Sequence, residues 1–130
     1  MQKQTEAEID LAAAAYFAAC NATREKITLK TGEHRYYQVP YTLAGLCAAL
    51  GVTRTEFSAL MRGKNAGVRR ACRAAMMRVE QHTLERALLG EIDRAVADML
   101  LKSWGYGSEE QGAAAQELRV TLEDPEQLAR

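Results

Sequence analysis

Seven basic side chains and a single acid fall between Arg54 and Arg78: Arg54, Arg62, Lys64, Arg69, Arg70, Arg73 and Arg78 against Glu56. The block carries a net +6, while the chain as a whole is neutral. Guanidinium and ammonium groups clustered this way suit the neutralisation of a polyanion, because each phosphate contact releases condensed counterions. The segment from Pro40 to Gly63, PYTLAGLCAALGVTRTEFSALMRG, leads into this block. It has the layout of a helix-turn-helix. Gly51 supplies a corner residue that tolerates positive φ, and Cys47 supplies a small side chain where two helices meet. Leu46, Leu50, Val52, Phe57 and Leu60 fill the angle between them. The second helix would expose Arg54, Thr55, Ser58 and Arg62 beside its capping residue Thr53, within reach of base edges and phosphates in a major groove. Lys64, Asn65, Arg69, Arg70 and Arg73 follow directly and read as backbone-phosphate contacts. A solvated basic face on a helical hairpin is the plainer alternative. Arginines at a helix N-terminus oppose its dipole, a cost that a nearby phosphate would offset.

No constellation for catalysis accompanies this block. His34 and His82 stand apart from each other, with Glu85 the one carboxylate at helical spacing from His82. His82 reads as a partly exposed residue on a helix surface. There is no glycine-rich phosphate loop, and no serine or cysteine has an adjacent base. Cys20, Cys47 and Cys72 form no CxxC pair and read as reduced thiols packed as small hydrophobes. The expectation is a protein that is not an enzyme, with no catalytic residue, metal site or cofactor.

The elements that would carry these side chains are mainly helical. Thr5 and Glu8 form a capping box for a helix from about Glu6 to Cys20, with Ile9, Ala13, Tyr16, Phe17 and Cys20 on one face. Between Asn21 and Val39 the helical period is lost. Ile27 to Leu29 and Tyr36 to Val39 read as a short β-hairpin over residues 26–39, or as an extended loop. Pro40 opens the next helix and Gly51 ends it, and Thr53 with Glu56 forms a second capping box. Arg62 to Gly67 reads as a loop. A long helix should run from Val68 to about Leu89, until Gly90 breaks it. Ile92, Ala95, Val96, Met99 and Leu100 give a clean amphipathic stripe ending near Ser103, where Trp104 and Tyr106 read as a hydrophobic plug. Further on, Leu118, Val120 and Leu122 alternate with polar residues as a strand does.

With 130 residues, 48% of them hydrophobic and 26% charged, the chain reads as a soluble globular protein. Its longest apolar run, from Leu11, falls far short of the roughly 20 residues of a membrane span, and no signal-peptide layout opens the sequence. Three segments follow. Residues 1–66 form a helix-turn-helix DNA-binding domain, and 67–107 a helical oligomerisation domain. Residues 108–130 form an acidic C-terminal segment whose strand either pairs between subunits or stays mobile. From Val79 onward five bases meet eleven acids, and this acidic end suits a basic partner or simple solubility.

Several stretches resemble the small subunit of bacteriophage terminase. They are Tyr16-Phe17 with Cys20, Pro40-Tyr41-Thr42, Ala44-Gly45-Leu46, Leu50-Gly51, the helix bearing Arg69, Arg70, Ala71, Arg78, Val79 and Glu80, and the ending Lys102-Ser103-Trp104-Gly105-Tyr106. The likeness spans roughly Ile9 to Gly107. The Asn21 to Val39 stretch is longer than the usual linker, and Arg54 to Ser58 departs from the common version. The resemblance implies a non-enzymatic, ring-forming protein of the bacterial host cytoplasm. Such a protein binds double-stranded viral DNA for packaging and recruits the large subunit, an ATPase and nuclease. A ring of roughly eight or more subunits would bury the apolar positions Val79, Leu84, Leu88, Ile92, Val96 and Met99, with Leu118, Val120 and Leu122 closing an intersubunit barrel. The competing readings are a dimeric helix-turn-helix transcriptional regulator, with the hairpin as its wing, and a protein-interaction adaptor without a DNA role.

Overall fold

The computed structural model describes residues 4–106. Five helices and one small antiparallel sheet follow in the order α1 (Glu6–Ala22), β1 (Glu25–Thr28), β2 (His34–Tyr37), α2 (Leu43–Leu50), α3 (Arg54–Met61), α4 (Ala66–Leu88) and α5 (Arg94–Ser103). The chain divides into two units, Met1–Arg94 and Ala95–Arg130. The sequence-expected strand at Leu118, Val120 and Leu122 lies outside the described residues.

Local signals set the helix ends. Thr5 accepts the Glu8 amide while Glu8 reaches back to the Thr5 amide, and Thr53 and Glu56 do the same for α3. Each box satisfies two amides that the helix cannot. Gly51 turns the chain out of α2 at φ 74°, with Val52 N–H donating to the Cys47 carbonyl at 3.0 Å and Gly51 N–H to Ala48 at 3.2 Å. That left-handed corner suits glycine, because a Cβ there would strain the backbone. The long helix begins two residues earlier than the periodicity indicated. Asn65 is its N-cap, accepting from Val68 N–H at 3.0 Å, so Ala66 and Gly67 are helical rather than part of a loop.

In the first unit, α1 lies along α4 and also packs on α2, while α3 packs on α4. The helix α4 therefore shares one core with the preceding elements, and the expected boundary at 66/67 falls inside this unit. Three side-chain contacts show that α1 and α4 run parallel. Glu6 pairs with Arg70 at 3.7 Å, and the Arg78 guanidinium lies 4.4 Å over the Phe17 ring. Arg24, just beyond α1, meets Glu91, just beyond α4, through two hydrogen bonds of 3.0 and 2.9 Å. Ile9, Phe17, Leu46, Phe57, Cys72 and Val79 are buried between the helices. Val79 is fully buried within the chain and so offers no surface to another subunit, contrary to its expected oligomerisation role. Cys20, Cys47 and Cys72 are all buried, and burial pushes the Cys72 thiol up to about 11.

The sheet pairs Glu25 with Tyr37 and Thr28 with His34, with Gly32 at φ 90° in the turn. Every strand residue is exposed. A lone hairpin is marginal in water, and this one is held at its base. Arg24 lies 4.5 Å over the Tyr36 ring and donates to Gln38, while Val39 N–H donates to Thr23 at 2.8 Å.

His82 is not a surface residue. It is buried and stacked on Tyr41, with ring centroids 3.9 Å apart, while the Tyr41 hydroxyl donates to Asn21 at 2.7 Å. A second close approach sets the α1–α2 packing. The Tyr16 hydroxyl accepts Thr42 N–H at 2.9 Å, and a Cβ at Gly45 would collide with that ring.

In the second unit, Ala97 and Leu101 are the buried residues of α5. The expected stripe is turned outward instead: Val96 and Met99 are 43% and 61% exposed, Ala95 is exposed, and Ile92 and Leu100 are half-buried. Trp104 is half-buried and Tyr106 exposed, so only the first of the two has the surroundings of a plug.

Gly45→Ala is expected to lower unfolding stability by about 1–3 kcal/mol, as overpacking does. Combined with Tyr16→Leu it should cost less than the sum of the two, as measured by urea titration. Burial, then the Arg86 charge, pull the His82 pKa from 6.5 to about 4. The unfolded chain therefore takes up this proton at higher pH than the folded one does. Stability should fall as pH drops from about 6.5 to 4, by about 1–3 kcal/mol. Glu91, held below the usual carboxylate range by the hydrogen bond from Arg24, adds a loss of the same sign at lower pH. His82→Phe should remove the upper part of that slope in pH-dependent thermal melts and leave the lower part.

Candidate nucleic-acid interface

The short helix α3 begins at Arg54, directly after the capped corner. Arg54, Ser58 and Arg62 recur every four residues and share one face, with Thr55 beside them. Arg54, Thr55 and Arg62 are exposed and Ser58 is half-buried. Phe57, next to Ser58 in the chain and turned toward the core, is fully buried. The helix is thus fixed by its apolar side and offers its polar side to solvent. Thr53 is exposed, but its hydroxyl is occupied in the cap. Asn65 is likewise exposed, with its side-chain oxygen committed to Val68.

The arginines of α4 divide in a way their sequence spacing did not indicate. Arg69 donates from Nη1 to the Gly63 carbonyl at 2.7 Å, and Arg73 donates from Nε to the Met61 carbonyl at 2.8 Å. Both cations sit against the carbonyl end of α3, where the helix dipole favours positive charge. The unfavourable placement expected at the start of α4 is offset by a favourable one at the end of α3. These two side chains tie α3 to α4 and still carry other N–H groups. Arg70 is different: its side chain is 69% exposed and faces Glu6. Lys64 is exposed in the connection between the helices. The structure therefore brings Arg62, Lys64, Arg69, Arg70 and Arg73 together around the α3–α4 junction, with Arg54 at the other end of α3.

The hairpin lies elsewhere. It is fastened through Arg24 to Glu91, past the C-terminus of α4, whereas Arg69 and Arg73 occupy the first turns of α4. The 23 residues of α4 span roughly 34 Å, so hairpin and basic junction sit at opposite ends of one helix. Beside the hairpin, a groove of about 490 Å³ is lined by Arg35, Tyr36, Tyr37 and Leu89 among others. Leu84, Leu88 and Leu89 are exposed at the same end of α4. Among the described residues no group of three or more histidine, cysteine or carboxylate side chains is placed to hold a metal ion. No helix among them is long and apolar enough to cross a membrane.

Sequence reasoning missed Gly45, on whose missing side chain the seat of Tyr16 depends, and Glu6, whose carboxylate meets Arg70 and Gly67. The acid in the first turn of α1 is visible in the sequence, but nothing local points from it to α4.

Arg73→Ala should lower unfolding stability by about 1 kcal/mol through the lost charge-assisted bond to α3. Arg54→Ala should stay within about 0.5 kcal/mol of the parent, as exposed substitutions do. Chemical denaturation of both variants checks the difference.

No curated protein and no solved structure matched the chain. The family model of the DNA-packaging protein gp3 matches residues 2–112. That match takes in all five helices and the sheet, and the chain belongs to this phage DNA-packaging family.

Proposed function

We propose that the protein is a non-enzymatic terminase small subunit that binds duplex viral DNA through α3 and the α3–α4 junction and acts as a ring. The observation that carries this reading is the rigid pedestal under α3. Capped at Thr53, buried at Phe57 and clasped at Met61 and Gly63, the helix holds Arg54, Thr55 and Arg62 exposed with Ser58 half-buried beside them. In this reading α2 and α3 form a helix-turn-helix. Arg54 and Ser58 face base edges, while Lys64, Arg69, Arg70 and Arg73 face phosphates. Family membership supplies the packaging context.

The outward stripe of α5 and the exposed Leu84 and Leu88 are apolar surfaces that neighbouring subunits would cover. One module makes few contacts, and a ring multiplies them through effective concentration. The terminase large subunit, in the host cytoplasm, is the proposed recipient of the bound DNA. The regulator alternative needs the hairpin as a wing beside α3, and the length of α4 between the two argues against it.

Two measurements test the proposal. In binding titrations with duplex DNA at several salt concentrations, Arg70→Ala should weaken binding on every sequence and reduce the salt slope by about 0.9. Arg54→Ala should instead change the preference between sequences. Native mass spectrometry should show a closed ring. A two-fold dimer would return the regulator reading, and no complex at low ionic strength would remove the DNA role.

A further inference from the structure

Glu6 stands out among the acids of the first unit because it faces the basic junction from another element. Its carboxylate lies 3.7 Å from the Arg70 guanidinium, and both side chains are largely exposed, at 48% and 69%. The same carboxylate rests on Gly67, in the first turn of α4, so closely that a Cβ at that position would collide with it. Glu6 in turn is held by α1, whose capping box fixes the first turn that carries it. The anion is therefore brought to this position by the α1–α4 packing. A carboxylate seated on a guanidinium near the start of a helix has the charge and the position that a backbone phosphate would take.

We infer that Glu6 is a built-in competitor for the phosphate bound by Arg70, and that DNA must displace it. The inference rests on the DNA-binding reading given above and adds a restraint to it. Binding at Arg70 exchanges one ion pair for another, so this contact contributes less affinity than a free arginine would. It also discriminates: a chain of phosphates that engages the whole junction can expel the carboxylate, whereas an isolated anion gains little by doing so.

The test is fluorescence-anisotropy titration of the full chain with a labelled duplex of about 20 base pairs across a salt series, for the parent and four variants. Glu6→Gln should tighten binding about two- to five-fold at low salt, the scale of one exposed ion pair. Glu8→Gln removes the same charge from the same turn and keeps the capping box, so it should change affinity much less. Gly67→Ala pushes the carboxylate aside by steric contact and should shift affinity in the same direction as Glu6→Gln. In an Arg70→Ala background, Glu6→Gln should have no further effect. Thermal melts of each variant check that the fold is retained. If the parent binds and Glu6→Gln binds equally well, or if Glu8→Gln tightens binding as much, the competitor role is overturned and the DNA-binding reading stands. If the parent forms no complex at low salt, both are overturned.

Discussion

The parallel contact of α1 with α4 is the constraint from which the rest of the first unit follows. Two helices that run side by side in the same direction need a long connection to return the chain. Here the hairpin, α2 and α3 make up that connection. The pairing is pinned near its start by Glu6 and Arg70, in the middle by Arg78 over Phe17, and beyond its end by Arg24 and Glu91. The middle and the surrounding apolar burial carry most of the stabilisation, because exposed ion pairs are worth little. Arg24 and Glu91 are better shielded and joined by two hydrogen bonds, and they also fasten the hairpin.

Within that frame the basic block has two uses. Part of its charge is consumed inside the molecule, where Arg69 and Arg73 satisfy carbonyls at the end of α3. Of the other five, Arg54, Arg62, Lys64 and Arg70 are exposed, and Arg78, also exposed, lays its guanidinium over the Phe17 ring. A net charge counted along the sequence overstates what is left for a partner, since a guanidinium bound to a backbone carbonyl has fewer donors and less freedom. The same groups that make the surface positive also hold it in shape, so a substitution at Arg69 or Arg73 changes both and a substitution at Arg54 changes one.

His82 and Tyr41 illustrate how a polar residue is accommodated in this core. The imidazole stays neutral because burial and the neighbouring Arg86 disfavour its charged form, and the aromatic stack gives its face an apolar neighbour. The cost of desolvating a neutral ring is far smaller than that of a charged one, which is why such a residue can sit between α4 and the segment that leads into α2.

Much of the local architecture was legible in the residues alone, because it is decided within one turn of chain. Thr5 with Glu8, Thr53 with Glu56, and the left-handed glycine after Leu50 each act over three or four residues, and the helices begin or end where those signals stand. The buried stripe of Ile9, Ala13, Phe17 and Cys20 was equally plain from its period. The partners of Arg73 and Glu6, the burial of His82 and the need for glycine at position 45 were settled by tertiary packing. Each depends on a residue far away in sequence, and spacing along a chain carries no information about which distant surface arrives to meet it. The sequence by itself determined the capped helix ends, the glycine corner and where charge collects, because those signals act within a turn of chain; the packing of α3 and α1 on α4 decided which of those charges are spent on the fold and which stay exposed.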